Sequence, residues 1–205
     1  EWWRHSFPRL FPTERLLQQA LVKQLPENAR VLDIGCGDGR LLESLPPAFG
    51  KFGTELSEGA AEAARERGVT IVRHEDVLAG KHGAFDAITM VDVFEHLKQP
   101  HEFIASLMPV LKSGGLLGVS TGDGDYCMAT CDPEGFWYWR VIAHVSMWTE
   151  AYARFAENAL GCKRSFVGRC SHYDVEFKLW FKQAVQKMAY EVYHDHKWTW
   201  AKPVC

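Results

Sequence analysis

The sequence predicts an α/β fold: a three-layer, doubly wound, mostly parallel sheet of seven strands with helices on both faces. Between residues 31 and 121, short apolar segments alternate with segments of helix length, and this alternation is typical of βαβ units. The segment 85–91 is apolar enough for burial on both faces, as strands of a parallel sheet are. A glycine-rich turn at 35–39 joins the first apolar segment to a helical run, as in doubly wound folds.

Composition supports one domain over residues 1–205 and narrows the class of protein. A length of 205 residues with 47% hydrophobic residues suits a single core. A net charge of −3 and the lack of a Lys/Arg cluster disfavour nucleic acid as a partner. There is no apolar run of 18 residues and no signal-peptide pattern, so we expect no membrane span and a cytoplasmic location.

The six cysteines are scattered, which favours free thiols over a disulfide framework. Cys127 and Cys131 have the spacing of a metal-binding pair, but no second pair follows at ligand spacing. We therefore expect no metal site.

The helices and strands of the first 121 residues are bounded by recognisable signals. Pro46 and Pro47 end one helix, Ser57 can cap the next and Gly68 can close it, and Pro100 opens another with one apolar side. Strands are expected at 31–34, 49–55, 69–73, 85–91 and 115–121. Helices are expected at 13–25, 40–45, 58–67 and 100–112.

The remainder of the sequence is less regular. Residues 122–146 are expected to form a long loop with a short helix, and loops of that length are usually functional. A helix that stops at Gly161 is expected next, and its C-terminal neighbours carry strand and helix patterns. The predicted elements are a helix at 149–160, a strand at 163–169, a helix at 174–195 and a strand at 197–202, with a strand at 173–180 as the alternative.

The turn Gly35-Cys36-Gly37-Asp38-Gly39 indicates a ligand site. Glycine tolerates positive φ and leaves room for a ligand beside the backbone, and the amides that begin the next helix would face that ligand. The spacing G-x-G-x-G differs from the G-x-G-x-x-G of dinucleotide-binding proteins. Asp33 would repel a pyrophosphate and suit an ammonium group. The pattern therefore favours a zwitterionic or cationic ligand.

The segment VLDIGCGDGR at 31–40 resembles the first motif of the class I S-adenosylmethionine-dependent methyltransferases. Further segments resemble the family's later motifs in order and spacing, and the one at 85–100 is similar to the branch with ubiquinone-pathway and sugar methyltransferases. These segments are GTELSEGA at 53–60, HEDVLAG at 74–80, FDAITMVDVFEHLKQP at 85–100 and LKSGGLLGVST at 111–121. The resemblance implies a Rossmann-like methyltransferase fold. It would have a cofactor-binding core at 31–121, an N-terminal arm and helix at 1–30, and an acceptor-side lid with the C-terminal elements at 122–205.

The resemblance also implies S-adenosylmethionine as the cofactor and assigns roles to residues at strand ends. The glycine turn would carry the methionyl part, and the Glu55 carboxylate would accept hydrogen bonds from the ribose hydroxyls. Asp76, at the expected end of the third strand, and the Val77 amide would contact adenine, while Val91 and Asp92 would lie beside the methionyl ammonium. The predicted contacts are Asp33, Gly35, Cys36, Gly37, Gly39, Glu55, Leu56, Asp76, Val77, Val91 and Asp92.

Methyl transfer from a sulfonium needs mainly alignment of the acceptor, and a hydroxyl acceptor also benefits from a base. His96, which follows the fourth strand, and His144, which precedes the helix after the fifth, are the candidate catalytic bases. A structural role, holding the loop in shape, is the alternative for His96. Asp92 and Glu95 are weaker candidates for the base.

Aromatic residues in the segments expected to roof the pocket suit a sugar ring or an aromatic acceptor, although packing of the lid explains them equally well. These residues are Trp2, Trp3, Trp137, Trp139 and Trp148. The expected function is methyl transfer to a small-molecule acceptor, preferably a hydroxyl oxygen of a sugar or phenol-like compound. The alternatives are a non-catalytic or regulatory cofactor-binding module, N- or C-methylation of a small metabolite, and a nucleotide-sugar or nicotinamide enzyme, which the glycine spacing disfavours.

Overall fold

The computed structural model describes residues 10–130, 138, 141–165, 167, 168 and 170. A parallel sheet of five strands forms its centre, in the order β3-β2-β1-β4-β5. The strands are β1 (Arg30–Ile34), β2 (Gly50–Thr54), β3 (Thr70–Ile71), β4 (Phe85–Val91) and β5 (Leu111–Ser120). The strand order reverses between β1 and β4, and ligands of such sheets bind at the carboxyl ends of the strands beside this switch point.

Helices connect the strands and cover both faces of the sheet. They are α1 (Pro12–Gln24), α2 (Arg40–Glu43), α3 (Glu58–Glu66), α4 (His74–Leu78), α5 (Pro100–Leu107), α6 (Gly124–Thr130) and α7 (Glu150–Leu160), with 3-10 turns at Phe94–His96 and Met108–Val110. Because side chains alternate along a strand, β1 and β4 each contribute to two cores. One core is formed by Leu32, Ile34, Ile88, Met90, Ile104 and Leu107, and the other by Leu21, Val31, Leu42, Ala64 and Ala87.

The predicted α/β class with a parallel sheet is confirmed, with five strands in the described residues where seven were expected. Residues 163–165, 167 and 168, which belong to the predicted sixth strand, form no strand. The predicted helix at 174–195, the strand at 197–202 and the alternative strand at 173–180 lie outside the described residues.

Several predicted boundaries differ from the structure, near Pro109 and around the third strand. The helix expected at 100–112 ends at Leu107, because Pro109 lacks the amide that an α-helix would need there. β5 consequently begins at Leu111 rather than at residue 115. The third strand has only two residues, and α4 begins at His74. Asp76 therefore lies in the first turn of a helix and not at the end of a strand.

The N-terminal helix α1 begins with Pro12, whose fixed φ suits that position. The Glu14 carboxylate accepts a hydrogen bond from the Phe11 amide at 2.6 Å and so closes the first turn. This helix packs against β5 and α2, which places its first turn near the carboxyl ends of the strands. In the part of the chain that the structure describes, no helix has both the length and the apolarity required to cross a bilayer.

Candidate active site

The glycine turn after β1 has the backbone conformation that the sequence predicts. Gly35, Gly37 and Gly39 have φ values of 68°, 54° and 78°. A Cβ atom at Gly35 would lie 2.7 Å from Val93 Cγ2, whereas one at Gly37 would meet no atom within 4 Å. Gly35 is thus required by packing inside the protein. Gly37 borders open space, as expected of backbone that a ligand approaches.

Glu55, which follows β2, lies directly against the glycine turn. One carboxylate oxygen accepts a hydrogen bond from the Gly37 amide at 2.9 Å, and the other accepts one from the Ser57 amide at 2.8 Å. Ser57 is the N-cap residue of α3, but its side chain makes no capping hydrogen bond, contrary to the prediction. The adjacent Leu56 side chain is fully exposed. A hydrogen-bond-accepting carboxylate, that of Glu55, and an exposed apolar side chain, that of Leu56, therefore lie together beside the glycine turn.

Asp33 in β1 is buried, with a relative exposure of 3%. Its carboxyl group accepts a hydrogen bond from Thr89 Oγ1 at 2.6 Å, across the β1–β4 pairing. Burial is the main cause that raises the pKa of Asp33 to about 7; the charges of Glu14 and Glu55 act in the same direction, and the hydrogen bond from Thr89 opposes the rise. The group lies at the switch point of the sheet.

Asp92 follows Val91, the last residue of β4, and has a φ of 53°. Positive φ is unusual for a residue with a side chain and is found preferentially at functional sites. Burial raises the pKa of Asp92 to about 7, as does the charge of Glu95, while His96 opposes the rise. The predicted placement of Val91 and Asp92 at the carboxyl end of the fourth strand is confirmed.

Glu14 is a site residue that the sequence analysis did not identify. It is buried, with a relative exposure of 7%, and burial raises its pKa. Its charge interacts with those of Asp33 and Asp92, so α1 contributes a third carboxyl group to this region. The only local signal was an acidic residue in the first turn of an amphipathic helix, and such residues usually serve as caps.

The Asp76 carboxylate and the Val77 amide, which were predicted to contact adenine, both have partners within the protein. The Asp76 carboxylate forms ion pairs with Lys81 at 2.6 Å and Arg73 at 2.8 Å, and their hydrogen bonds lower its pKa. The Val77 amide donates to the Arg73 carbonyl within the first turn of α4. Both groups are engaged locally because a helix, rather than a strand end, occupies these positions.

Cys36, within the glycine turn, has a side chain that faces the interior of the protein. Its side chain is buried and points toward β2, since a Cβ atom at Gly53 would lie 2.5 Å from its Sγ. Its amide donates to the Thr54 carbonyl. The thiol therefore packs the turn onto the sheet.

The two candidate bases, His96 and His144, lie in contact although they are distant in sequence. Their ring centroids are 4.9 Å apart, with the planes at 70°. His96 Nδ1 lies 3.1 Å from the Ala143 carbonyl oxygen, and His144 Nδ1 lies 2.7 Å from the Tyr138 carbonyl oxygen. A carbonyl oxygen only accepts, so each neutral ring carries its proton on Nδ1 and its lone pair on Nε2. Either ring is therefore suited to accept a proton at Nε2.

Glu95 is a buried carboxylate close to both imidazoles. Its side chain is 1% exposed and accepts hydrogen bonds from Thr121 Oγ1 at 2.9 Å and from the Tyr138 hydroxyl. One ligand atom from each of Glu95, His96 and His144 lies within 4.8 Å of the others. A carboxylate with two imidazoles is a set that can hold a divalent ion, whereas the sequence analysis expected no metal. Both Glu95 oxygens already accept hydrogen bonds.

Trp148 packs edge-on against Phe94 and Tyr152, with centroid distances of 5.2 Å and 5.1 Å. This contact agrees with the alternative that the tryptophan fastens the lid to the sheet. The other tryptophans predicted to roof the pocket, Trp2, Trp3, Trp137 and Trp139, lie outside the described residues.

Comparison with known proteins places this arrangement in a family. A family model described as a methyltransferase domain matches residues 2–184. The chain is 33% identical over 133 residues to a ubiquinone biosynthesis O-methyltransferase of Xanthomonas axonopodis pv. citri, covering 58% of this chain and 55% of that protein. The corresponding protein of Thiobacillus denitrificans is 35% identical over 142 residues, with coverages of 63% and 59%. The chain thus spans little more than half the length of these curated relatives.

Solved structures agree on the fold. The magnesium protoporphyrin IX methyltransferase of Synechocystis, crystallised with S-adenosylhomocysteine, superposes with a TM-score of 0.60 at 21% identity, covering 78% of this chain and 76% of that one. The YcgJ protein of Bacillus subtilis superposes with a TM-score of 0.57 at 20% identity, with coverages of 72% and 67%. With the motif order, the glycine turn and the family match over most of its length, the chain belongs to the class I S-adenosylmethionine-dependent methyltransferases.

Proposed function

We propose that the chain transfers a methyl group from S-adenosylmethionine to a hydroxyl oxygen of a small molecule, either phenol-like or sugar-like. The observation that carries this proposal is a juxtaposition at the switch point of the sheet. The glycine turn packs through Gly35 against Val93, which directly precedes the 3-10 turn that carries His96, and both imidazoles have Nε2 as their basic atom. The relatives named as ubiquinone biosynthesis O-methyltransferases support oxygen as the acceptor atom.

The residues on the turn fit the cofactor's charge and shape. The carboxyl groups of the buried Asp33 and the half-buried Asp92 have raised pKa values, and a positively charged ligand would stabilise their ionised forms. Glu55 would exchange its hydrogen bond with the Gly37 amide for hydrogen bonds from ribose hydroxyls. The exposed Leu56 would cover one face of the adenine.

The remaining contacts are proposed from the same geometry. Gly35 and Gly39 would shape the turn, and the end of β4 at Val91 would border the methionyl part. Asp76 would reach the adenine amino group only by giving up part of its pairing with Arg73 and Lys81.

Bound S-adenosylmethionine supplies an activated methyl group, so the protein's main task is to align the acceptor. Alignment of this kind can lower a barrier by about 7–11 kcal/mol. The acceptor hydroxyl would give its proton to Nε2 of His96 or His144, and a positioned base typically contributes about 10²–10⁴-fold in rate. His96 is exposed and His144 is half-buried, so both can meet a small acceptor that enters from solvent.

The proposal is tested by incubating the protein with S-adenosylmethionine and three acceptor panels: simple catechols, monosaccharides and primary amines. Formation of methylated product and S-adenosylhomocysteine is followed by mass spectrometry. We expect transfer to a hydroxyl compound, with His96→Ala or His144→Ala lowering the single-turnover rate and leaving cofactor affinity intact. Transfer to amines alone would contradict oxygen as the acceptor. Cofactor binding without transfer to any panel would instead support the non-catalytic alternative.

A further inference from the structure

We infer that Glu95 and Tyr138 are positioning residues that hold His144 with its Nε2 lone pair toward the acceptor and fasten residues 141–146 over the end of β4. The inference rests on the proposed function for the role of His144 as a base. It adds two residues, from different parts of the sequence, to the machinery of methyl transfer.

Glu95 connects three segments through both its backbone and its side chain. Its carbonyl oxygen accepts hydrogen bonds from the amides of Val145 at 2.7 Å and Ser146 at 3.1 Å. Its carboxylate accepts hydrogen bonds from Thr121, just beyond β5, and from Tyr138. One buried residue thus fixes the 3-10 turn after β4, the end of β5 and the segment that carries His144.

Tyr138 links Glu95 to the imidazole of His144. Its hydroxyl donates to Glu95 and accepts a hydrogen bond from the Gly122 amide at 3.1 Å. Its carbonyl oxygen lies 2.7 Å from His144 Nδ1, and its ring centroid lies 4.3 Å from that of His144. The hydrogen bond to Glu95 holds the Tyr138 side chain, and the Tyr138 carbonyl oxygen orients the His144 imidazole. The Nδ1-protonated tautomer of His144 therefore depends on the Tyr138–Glu95 hydrogen bond.

The chemistry of Glu95 also suits a site at which a histidine takes up a proton. The carboxylate is nearly inaccessible, and among the described residues its side-chain partners are two hydroxyl groups rather than a Lys or Arg. A buried charge with only neutral donors is unfavourable by itself, but an atom of each imidazole lies within 4.8 Å of it. A carboxylate at that distance favours the imidazolium that forms when the base is protonated.

The ionisable groups around His144 come from two segments. Asp92, Glu95 and His96 follow β4, and Tyr138 lies on the segment before His144. Asp92 and Glu95 interact electrostatically with each other, as do Asp92 and His96. Substitution of Glu95 therefore changes the charge that the pair of imidazoles meets, whereas substitution of Tyr138 changes only the hydrogen bonding.

The test compares Glu95→Gln and Tyr138→Phe with the matched control Tyr152→Phe. Tyr152 is a tyrosine beside Phe94 whose buried hydroxyl has no hydrogen-bond partner among the residues that the structure describes. Long-range ¹H–¹⁵N NMR of the histidine rings in the full chain reports the tautomer of each ring. We expect both test variants to lower the Nδ1–H fraction of His144. The control is expected to match the wild type.

The second readout is single-turnover methyl transfer to a catechol probe. We expect the single-turnover rate constant to fall about tenfold or more in both test variants, while the catechol concentration that gives half the maximal rate changes little. If Glu95→Gln does not fold, Tyr138→Phe still tests the inference, because it removes one oxygen and keeps the ring. An unchanged tautomer of His144 in Tyr138→Phe would overturn the inference.

The two readouts also separate this inference from the proposed function. A changed His144 tautomer, together with wild-type transfer by His144→Ala, would support the positioning role and contradict His144 as the base. Loss of transfer in His144→Ala with no change of the tautomer in Tyr138→Phe would support the base and contradict the positioning role.

Discussion

At the scale of single residues, the candidate site is characterised by two carboxyl groups with raised pKa values, the buried Asp33 and the half-buried Asp92. Both have a pKa of about 7, with burial as the largest cause. Carboxyl groups of this kind are found where a bound ligand stabilises the charged form. If the proposed function is correct, S-adenosylmethionine would provide this stabilisation.

Gly37→Val is expected to weaken binding of S-adenosylhomocysteine by more than about tenfold, because the side chain would fill the space that the ligand needs. Isothermal titration measures the effect. Gly80→Val is the matched control, since Gly80 also has positive φ, at 70°, and open space around its Cβ position. Equal affinities of the two variants would contradict the assignment of the turn.

Asp33→Asn is expected to stabilise the cofactor-free protein at pH 8 by about 1–3 kcal/mol and to weaken S-adenosylmethionine binding. The carboxyl pKa is 3.8 in an ordinary environment and about 7 in the fold, so the folded state holds the proton more tightly. Its contribution to stability is complete below about pH 4 and is lost as the pH rises through about 7. Thermal unfolding at pH 5 and pH 8 measures the difference.

Asp86→Asn is the control for that experiment and should behave in the opposite way. Burial opposes the shift, but hydrogen bonds from the Arg30 amide and Lys112 lower the pKa of Asp86. Its carboxylate therefore stabilises the fold above its ordinary pKa, and this contribution is lost as the pH falls. A stabilising Asp86→Asn at pH 8 would show that charge removal alone explains the result for Asp33.

Cofactor binding is expected to be linked to proton release. Because Asp33 and Asp92 titrate near pH 7, affinity for S-adenosylmethionine should rise by ~3–10-fold between pH 6 and pH 8. Titration calorimetry in two buffers with different ionisation enthalpies counts the protons released. Asp92→Asn should flatten the pH dependence, and an unchanged profile would remove Asp92 from the site.

At the scale of elements, helix ends differ in how they are held. α7 has a complete N-terminal cap, since the Thr149 hydroxyl accepts a hydrogen bond from the Tyr152 amide at 3.1 Å, and it ends at Gly161 in the left-handed conformation. α3 has Ser57 at the same position without a side-chain hydrogen bond. The two helices have similar sequence signals at their N-termini, but only α7 has a side-chain capping hydrogen bond there.

Thr149→Ala is accordingly expected to lower the free energy of unfolding by about 1 kcal/mol, whereas Ser57→Ala should change it by less than ~0.5 kcal/mol. Urea unfolding followed by circular dichroism measures both variants. Equal losses would mean that the hydroxyl of Ser57 caps α3 in solution.

At the scale of the whole molecule, the sheet separates a buried core from an open binding edge. Leu32 in β1 is fully buried between layers, while Leu56, just past β2, is fully exposed at the carboxyl edge. We therefore expect Leu32 to contribute to stability and Leu56 to ligand binding.

Leu32→Ala should lower the free energy of unfolding by about 2–5 kcal/mol, because it leaves a cavity in the core. Leu56→Ala should leave stability nearly unchanged and reduce the affinity for S-adenosylhomocysteine, since its side chain contacts little until the adenine is bound. Thermal unfolding with and without the ligand measures both effects. A Leu56→Ala variant with wild-type affinity would contradict the proposed adenine contact.

The sequence by itself determined the parallel α/β order, the positive-φ glycine turn and the placement of Glu55 and Asp92 at strand ends. These features depend on periodicity, glycine chemistry and short spacings, which act along the chain. Only the tertiary structure decided that α1 brings Glu14 to Asp33, that Asp76 lies in a helix, and that His144 meets His96 above the buried Glu95. The position of Asp76 depends on where the short third strand ends and the next helix begins. The contacts of Glu14 with Asp33 and of His144 with His96 join residues far apart in sequence, so they depend on how helices and loops pack on the sheet rather than on any local pattern.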